Sequence, residues 1–238
     1  MQHSFTMQYK HLFFDLDHTL WDFESNAKQT LQELYAELEL SKQGIQQFDD
    51  FYDRYIYHNT RLWERYRKGF IKRDDLRWKR MWHTLLDFKI GNEKLARSMD
   101  VLFLDKLPTR TLLFPHAIEI LEYLRDKGYA LHLITNGFEA VQHNKLKYSG
   151  LSGFFEFVIT SEGSNSLKPK KAIFEYALQQ TQATPKESIM LGDDIEADIV
   201  GAKNAGIDQV YINHKNIAAP FEPTYTVRSL KELEDIFK

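Results

Sequence analysis

The chain has 238 residues, of which 43% are hydrophobic and 14% aromatic, enough to fill one large domain or a domain that carries an insertion. Its 31 basic and 34 acidic residues leave a formal net charge of -3, which gives no basis for binding a nucleic acid polymer, and a small soluble substrate fits better. It has no cysteine, which excludes disulfides, thiolate metal sites and a cysteine nucleophile.

The sequence shows no targeting or membrane signal. Its first ten residues, Met1–Lys10, lack the apolar core of a signal peptide. No stretch reaches the roughly 20 apolar residues that a membrane span needs. We therefore expect a cytoplasmic protein without a membrane partner, and the sequence leaves its oligomeric state open.

A short apolar run near the N-terminus, His11–Phe14, is followed by two carboxylates, Asp15 and Asp17. Such a run predicts a buried strand. Ligands of open α/β sheets bind outside the carboxyl ends of the strands, and residues two apart in an extended chain lie on the same side. We therefore expect Asp15 and Asp17 to address one substrate, one as nucleophile and one as acid and base.

The stretch from about Trp21 to Leu107 is charged, aromatic and almost free of glycine and proline. Leu31, Leu34 and Leu38 recur at helical spacing within it. Further predicted helices follow, at Phe48–Arg67, Arg73–Phe88 and Glu93–Lys106. We interpret residues 22–107 as a helical cap inserted into the domain that the residues before and after it form.

Strands and helices alternate from Pro115 onwards. The predicted elements are a helix between Pro115 and Gly128, strand Tyr129–Ile134, helix Glu139–Tyr148, strand Phe155–Thr160, helix Ile173–Gln180, strand Ser188–Leu191, helix Ile195–Ala205, strand Gln209–Asn213 and helix Leu230–Phe237. This alternation is typical of a parallel sheet. The predicted fold is α/β, a doubly wound parallel sheet built from residues 1–21 and 108–238, with the helical cap inserted.

Polar residues follow the predicted strands. Thr135 and Asn136 offer hydroxyl, amide and backbone N–H groups that can hold phosphate oxygens. Lys168 offers an ammonium that can neutralise a phosphate or a carboxylate. Asp193 lies in an acidic cluster after a later strand. These groups together suit phosphoryl transfer.

The convergence of Asp15, Asp17 and Asp193 on one lysine predicts a divalent cation. Three carboxylates would repel one another without one. Mg²⁺ favours a few carboxylates together with water and substrate phosphate oxygens. We therefore expect Mg²⁺ as the cofactor.

These segments, in this order, resemble those of the haloacid dehalogenase superfamily, specifically its phosphatase branch. Within that superfamily the sequence is most similar to the pyrimidine 5'-nucleotidase group. The motifs that carry the resemblance are Ile134–Phe138, Lys168–Pro169 running into Ile173–Leu178, Leu191–Asp193 leading to Ser229–Leu233, and Leu62–Gly69 in the cap. The resemblance implies a Rossmann-like core for residues 8–22 and 108–238.

The resemblance also implies a role for each site residue. Asp15 attacks phosphorus and becomes an aspartyl phosphate, while Asp17 protonates the leaving alkoxide and then deprotonates the attacking water. The implied metal ligands are an Asp15 oxygen, the Asp17 backbone carbonyl and Asp193. Asp198 supports the metal through water or pairs with Lys168. Asp194, next in the chain, is expected to be a helix N-cap.

The resulting hypothesis is a Mg²⁺-dependent phosphomonoester hydrolase acting on nucleoside 5'-monophosphates, with pyrimidines favoured by the resemblance. One alternative is a phosphatase of sugar or other small metabolite phosphates under a differently shaped cap. A 2-haloacid dehalogenase is disfavoured, because displacement of a halide needs no acid at Asp17. A binding module without catalysis is disfavoured because Asp15, Asp17, Lys168 and Asp193 are all present.

Overall fold

The computed structural model of the protein describes residues 8–238. It divides into two compact units, one containing Glu24–Arg110 and the other containing the described residues up to Phe23 together with Thr111–Lys238. Residues 1–7 lie outside the described residues. They include most of the segment in which we predict no signal peptide and the beginning of the predicted catalytic core.

The smaller unit is helical. Its main elements are α1 (Phe23–Glu37), α2 (Phe48–Arg67), α3 (Arg73–Asp87) and α4 (Glu93–Lys106). Helices α2, α3 and α4 pack in sequence, each bringing an apolar stripe onto the next. A buried guanidinium lies among them, with Arg80 Nη2 3.4 Å from Asp100 Oδ1 and Arg80 Nη1 donating to Asn59 Oδ1 at 3.2 Å.

The larger unit is built on a parallel sheet. Its strands are β1 (His11–Phe14), β2 (Ala130–Thr135), β3 (Phe157–Thr160), β4 (Ser188–Gly192), β5 (Asp208–Ile212) and β6 (Tyr225–Val227). Within residues 8–238 they lie in the order β3-β2-β1-β4-β5-β6 and every neighbouring pair is parallel. This confirms the α/β doubly wound fold. The strand order reverses beside β1, where ligands of such sheets bind.

The helices of this unit precede, connect and follow the strands. They are α5 (Ala117–Asp126), α6 (Glu139–Tyr148), α7 (Lys171–Thr181), α8 (Gly201–Asn204) and α9 (Leu233–Ile236). Strand β1 is central and covered on both faces, so Leu12, Phe13 and Phe14 are fully buried. The register pairs Phe14 with Leu133 on one side and with Leu191 on the other, which aligns the carboxyl ends of β1, β2 and β4.

Two predicted helices differ in type from the structure, and one strand was not predicted. The helix expected over Ile195–Ala205 is a π-helical segment, Ile195–Val200, that continues into α8. The last helix begins as a 3₁₀ turn before α9. Strand β6 was missed, because it has only three residues and follows a proline-containing segment that reads as a loop.

None of the helices within residues 8–238 combines the length and the apolar character needed to cross a membrane. The cytoplasmic location expected from the sequence stays a prediction.

Candidate active site

The loop after β1 presents three polar side chains in a short space. The Asp15 N–H donates to Leu191 O at 2.9 Å, which extends the pairing of β1 with β4 by one residue. The chain then turns, because Leu16 O accepts hydrogen bonds from the N–H groups of Thr19, Leu20 and Trp21. His18 has φ of 65° in this turn. The tight turn keeps Asp15, Asp17 and Thr19 at the end of the strand.

A buried ion cluster lies at the carboxyl ends of β1, β2 and β4. Lys168 is 1% exposed, and its Nζ is 2.6 Å from Asp15 Oδ1 and 2.6 Å from Asp198 Oδ1. The same Nζ donates to Ile134 O at 2.7 Å. An ammonium can be buried here because two carboxylates and a carbonyl oxygen surround it. The structure therefore brings Asp15, Lys168 and Asp198 together.

The cluster changes the acidity of its members. Burial lowers the pKa of Lys168, but the charges of Asp15 and Asp198 outweigh burial and hold that pKa above its ordinary value. Burial raises the pKa of Asp15 to about 7, against the opposing effect of Lys168. Burial and the charge of Lys168 thus act on the pKa of Asp15 in opposite directions, and the lysine favours the anionic form.

Three carboxylates of this region fit a divalent cation. Asp15, Asp193 and Asp198 each offer an oxygen, and the three oxygens lie within 4.8 Å of one another. Burial, followed by the charges of Asp15 and Asp198, raises the pKa of Asp193 well above its ordinary value. Oxygen ligands of this charge suit Mg²⁺, which would relieve the mutual repulsion. The Asp17 backbone carbonyl, also expected as a ligand, stays a prediction.

Asp193 and Asp198 are held by their neighbours. Thr19 Oγ1 donates to Asp193 Oδ1 at 3.1 Å. Asp198 Oδ2 accepts from the Asp194 N–H at 3.0 Å. The Asp194 carboxylate caps the π-helical segment by accepting from the N–H groups of Glu196 and Ala197, which confirms its prediction as an N-cap.

The predicted phosphate-binding pair Thr135 and Asn136 follows β2, and its side chains are used differently. Thr135 Oγ1 accepts from the Gly137 N–H at 3.1 Å and from Gln142 Nε2 at 2.6 Å, which leaves the hydroxyl hydrogen to donate to a phosphate. The Asn136 side chain instead binds the Lys168 backbone, accepting from its N–H at 2.8 Å and donating to its O at 2.9 Å. Phosphate binding by Asn136 stays a prediction and would use its backbone N–H.

The Asp17 carboxylate lies outside the group of three carboxylates that fits a metal. Its Oδ1 accepts from Lys145 Nζ at 2.5 Å and its Oδ2 from Gln142 Nε2 at 3.1 Å. Gln142 and Lys145 were not predicted as site residues, although their spacing of three in a predicted helix places them on one face. That spacing, next to the Thr135–Asn136 pair, was the available signal.

The chain is similar to known hydrolases along almost its whole length. A family model of haloacid dehalogenase-like hydrolases matches residues 9–206. The pyrimidine 5'-nucleotidase PynA of Streptococcus pneumoniae is 33% identical over 96% of this chain and 95% of its own. The pyrimidine 5'-nucleotidase YjjG of Escherichia coli is 33% identical over 97% of this chain and 98% of its own. The magnesium-bound structure of YfnB from Bacillus subtilis has a TM-score of 0.87 at 28% identity. The match covers 97% of this chain and 99% of the YfnB chain.

Proposed function

This chain belongs to the haloacid dehalogenase-like hydrolases, and we propose that it is a Mg²⁺-dependent phosphomonoester hydrolase of nucleoside 5'-monophosphates that prefers pyrimidines. The observation that carries the hydrolase proposal is the convergence of Asp15, Lys168, Asp193 and Asp198 at the carboxyl ends of the central strands, beside Asp17. The nucleotide preference rests on the two full-length relatives that are pyrimidine 5'-nucleotidases.

In the first step that we propose, an Asp15 oxygen attacks phosphorus and forms an aspartyl phosphate while the ester P–O bond breaks. Lys168, 2.6 Å from Asp15, favours the anionic form that attacks. Asp17 gives its proton to the leaving alkoxide, so the nucleoside departs as a neutral alcohol. Thr135 donates its hydroxyl hydrogen to a non-bridging oxygen of the phosphoryl group.

In the second step, water attacks the phosphorus of the aspartyl phosphate. Asp17, left as a carboxylate, takes a proton from that water, and the bond between Asp15 and phosphorus breaks. Inorganic phosphate leaves, and both aspartates return to their starting states. Proton uptake in this step restores the acid that the first step consumed, so one residue serves both half-reactions.

The proposed metal ligands are Asp15 and Asp193, with the Asp17 backbone carbonyl and with Asp198 in support. When bound, Mg²⁺ would neutralise charge on the phosphate and reduce its repulsion from the Asp15 carboxylate. Lys168 links two of these carboxylates and supplies a second, fixed positive charge. The site thus carries the positive charge that an anionic substrate needs beside an anionic nucleophile.

The test is a phosphate-release screen in the presence of Mg²⁺ over UMP, dTMP, AMP, GMP, glucose 6-phosphate and 2-chloropropionate, with chloride release measured for the last. We expect the highest kcat/KM for UMP or dTMP. Comparable kcat/KM values for pyrimidine nucleotides, purine nucleotides and the sugar phosphate would contradict the nucleotide preference. Chloride release without phosphate release would contradict the phosphatase itself and favour a dehalogenase.

The assignment of residues 22–107 as a substrate-selecting cap is also a proposal. The helical unit Glu24–Arg110 is the part of the chain that a chimera can exchange. Replacing it with the corresponding segment of a phosphatase of different specificity should change the order of substrates in the same screen. An unchanged order with retained activity would assign specificity to the larger unit.

A further inference from the structure

Two residues of α6 hold the Asp17 carboxylate by both of its oxygens. Lys145 Nζ donates to Oδ1 at 2.5 Å, and Gln142 Nε2 donates to Oδ2 at 3.1 Å. Neither the strand-end motifs nor the ion cluster around Lys168 contains these residues. We call Gln142 and Lys145 together the Asp17 clamp.

The side chains of the clamp are buried, so leaving their ammonium and amide groups without hydrogen-bond partners would cost free energy. Gln142 is fully buried and Lys145 is 2% exposed. The Lys145 ammonium lies 4.3 Å from the centre of the Trp21 ring and 5.6 Å from that of Phe23. Aromatic faces stabilise a cation but give it no hydrogen-bond acceptor. The Asp17 carboxylate is therefore the anion that compensates a buried charge on α6.

Gly137 leaves room for the Gln142 side chain of the clamp. A Cβ atom added at Gly137 would lie 2.4 Å from Gln142 Cδ, so a larger residue there would displace the Gln142 side chain. The Gln142 amide also donates to Thr135 Oγ1 at 2.6 Å. The Gln142 amide therefore connects Asp17, the proposed acid and base, to Thr135, which we expect to bind phosphate.

Without the clamp, the Asp17 side chain could adopt several rotamers, and most of them would not suit proton transfer. This side chain is 25% exposed and lies in the turn after β1, so water could hold it in several rotamers. A proton donor must lie within hydrogen-bond reach of the leaving oxygen, and errors of about 1 Å cost rate. Two donors on separate oxygens restrict both the rotamer and the plane of the carboxylate.

We propose that the Asp17 clamp, Lys145 with Gln142, positions the Asp17 carboxyl for proton transfer to the leaving group. When Asp17 carries the proton of the first step, its unprotonated oxygen still accepts a hydrogen bond from the clamp, so the orientation seen for the carboxylate is kept. Both are positioning residues, since they act through Asp17. This inference rests on the proposed phosphatase function. It adds that the accuracy of general acid catalysis depends on a helix that follows β2 rather than on the β1 loop alone.

The test compares two leaving groups. An alkyl phosphate such as UMP needs a proton on its leaving oxygen, whereas p-nitrophenyl phosphate releases a stable anion and needs little help. The kcat/KM value reports on this first step and excludes hydrolysis of the aspartyl phosphate. We expect Lys145→Met to lower kcat/KM for UMP about 100-fold and for p-nitrophenyl phosphate by less than about 5-fold.

Three variants control this comparison. Lys145→Arg keeps a donor and should recover most of the UMP rate. Lys147→Met removes an exposed lysine from the same helix and should leave both rates unchanged. In an Asp17→Asn background, Lys145→Met should cause no further change in the ratio of the two rates, because its action passes through Asp17.

The outcomes separate this inference from the function on which it rests. Equal losses for both substrates, or a lower unfolding temperature of Lys145→Met that accounts for the loss, would overturn the clamp and leave the phosphatase intact. Wild-type protein that releases phosphate only from p-nitrophenyl phosphate and β-glycerophosphate would contradict the nucleotide preference, and the ratio would then be measured with β-glycerophosphate. Wild-type protein inactive on every phosphate would overturn both proposals.

Discussion

At the scale of single residues, the Asp15 carboxylate depends on opposing influences. Burial raises its pKa to about 7, while Lys168 favours the anion. Lys168 also forms an ion pair with Asp198 and donates a hydrogen bond to the Ile134 carbonyl, and both contacts remain if Asp15 changes. The proposed nucleophile can therefore be replaced without leaving a buried ammonium unpaired, and its chemical role can be tested apart from stability.

Replacement of Asp15 by Asn should abolish turnover and leave the fold intact. An amide oxygen is too weak a nucleophile to form the aspartyl phosphate, so we expect kcat to fall at least about 1000-fold. The unfolding temperature should stay within a few degrees of the wild type. Asp126→Asn, an exposed change on α5, is the control. Appreciable phosphate release by Asp15→Asn would contradict the covalent scheme.

A second prediction at this scale concerns the effect of Mg²⁺ on stability. Without a cation, the carboxylates of Asp15, Asp193 and Asp198 repel one another. Mg²⁺ at 10 mM should raise the unfolding temperature of the wild type by several degrees, since it binds only the folded protein. Asp193→Asn should cancel most of this shift. In the absence of metal, the same variant should be more stable than the wild type, because one like charge is removed.

Calorimetry in EDTA and in Mg²⁺ measures both effects without an activity assay. Asp235→Asn, an exposed change near the C-terminus, should show the wild-type shift. A Mg²⁺ shift that survives in Asp193→Asn would contradict the assignment of Asp193 as a ligand. Activity that persists after thorough chelation would contradict the metal requirement.

At the scale of elements, the site depends on a close approach between the end of β4 and the π-helical segment after it. A Cβ atom at Gly192 would lie 2.2 Å from Asp198 Oδ2. Without a side chain at Gly192, Asp198 can fold back beneath the strand end and reach Lys168 Nζ at 2.6 Å. The π-helical turn brings Asp198 to this position, consistent with the frequent use of such turns at functional sites.

The substitution Gly192→Ala should therefore disrupt the Lys168–Asp198 ion pair. We expect a loss of about 1–3 kcal/mol in unfolding free energy, the usual cost of overpacking, and a loss of activity of about 10-fold or more. Urea unfolding and phosphate release measure the two effects. Gly153→Ala, where no atom lies within 4 Å of the added Cβ, should change neither. Unchanged stability and activity in Gly192→Ala would show that the close approach is unimportant.

At the scale of the whole molecule, the central sheet buries a histidine that can report on global stability. His132 on β2 is fully buried between β1 and β3, with its ring 5.0 Å from that of Phe13 and 5.7 Å from that of Phe157. Its Nε2 is 3.0 Å from His11 Nδ1. Burial, followed by the charge of His11, lowers the pKa of His132 to about 4. The folded protein thus keeps this ring neutral.

The low pKa of His132 predicts a loss of stability in weak acid. Between about pH 6.5 and pH 4, His132 is protonated in the unfolded chain but neutral in the folded protein. The unfolded chain therefore binds one more proton, and the free energy of unfolding falls as the pH falls. Between pH 7 and pH 5 this residue should account for about 2 kcal/mol of the loss. His132→Met should reduce the pH dependence by that amount in urea unfolding, whereas exposed His143→Asn should not. The same slope in His132→Met would contradict the prediction.

Much of the fold follows from local sequence patterns. The bounds of α2, α4 and α6 agree with the predicted helices, because apolar spacing and breaks by glycine act over a few residues. The short strand β6 and the π-helical segment after β4 were missed, since three residues carry too little pattern and a π turn has the same apolar spacing as an α-helix.

The sequence by itself determined which residue types stand at the strand ends, and hence the phosphoryl-transfer chemistry and the family. Only the tertiary structure decided how those residues are paired. Lys168 contacts Asp15 across 153 positions of sequence, Asn136 binds the Lys168 backbone, and Lys145 reaches Asp17 from a helix. Periodicity specifies an element through neighbouring residues, whereas these distances depend on strand order, register and helix packing, which no local pattern contains.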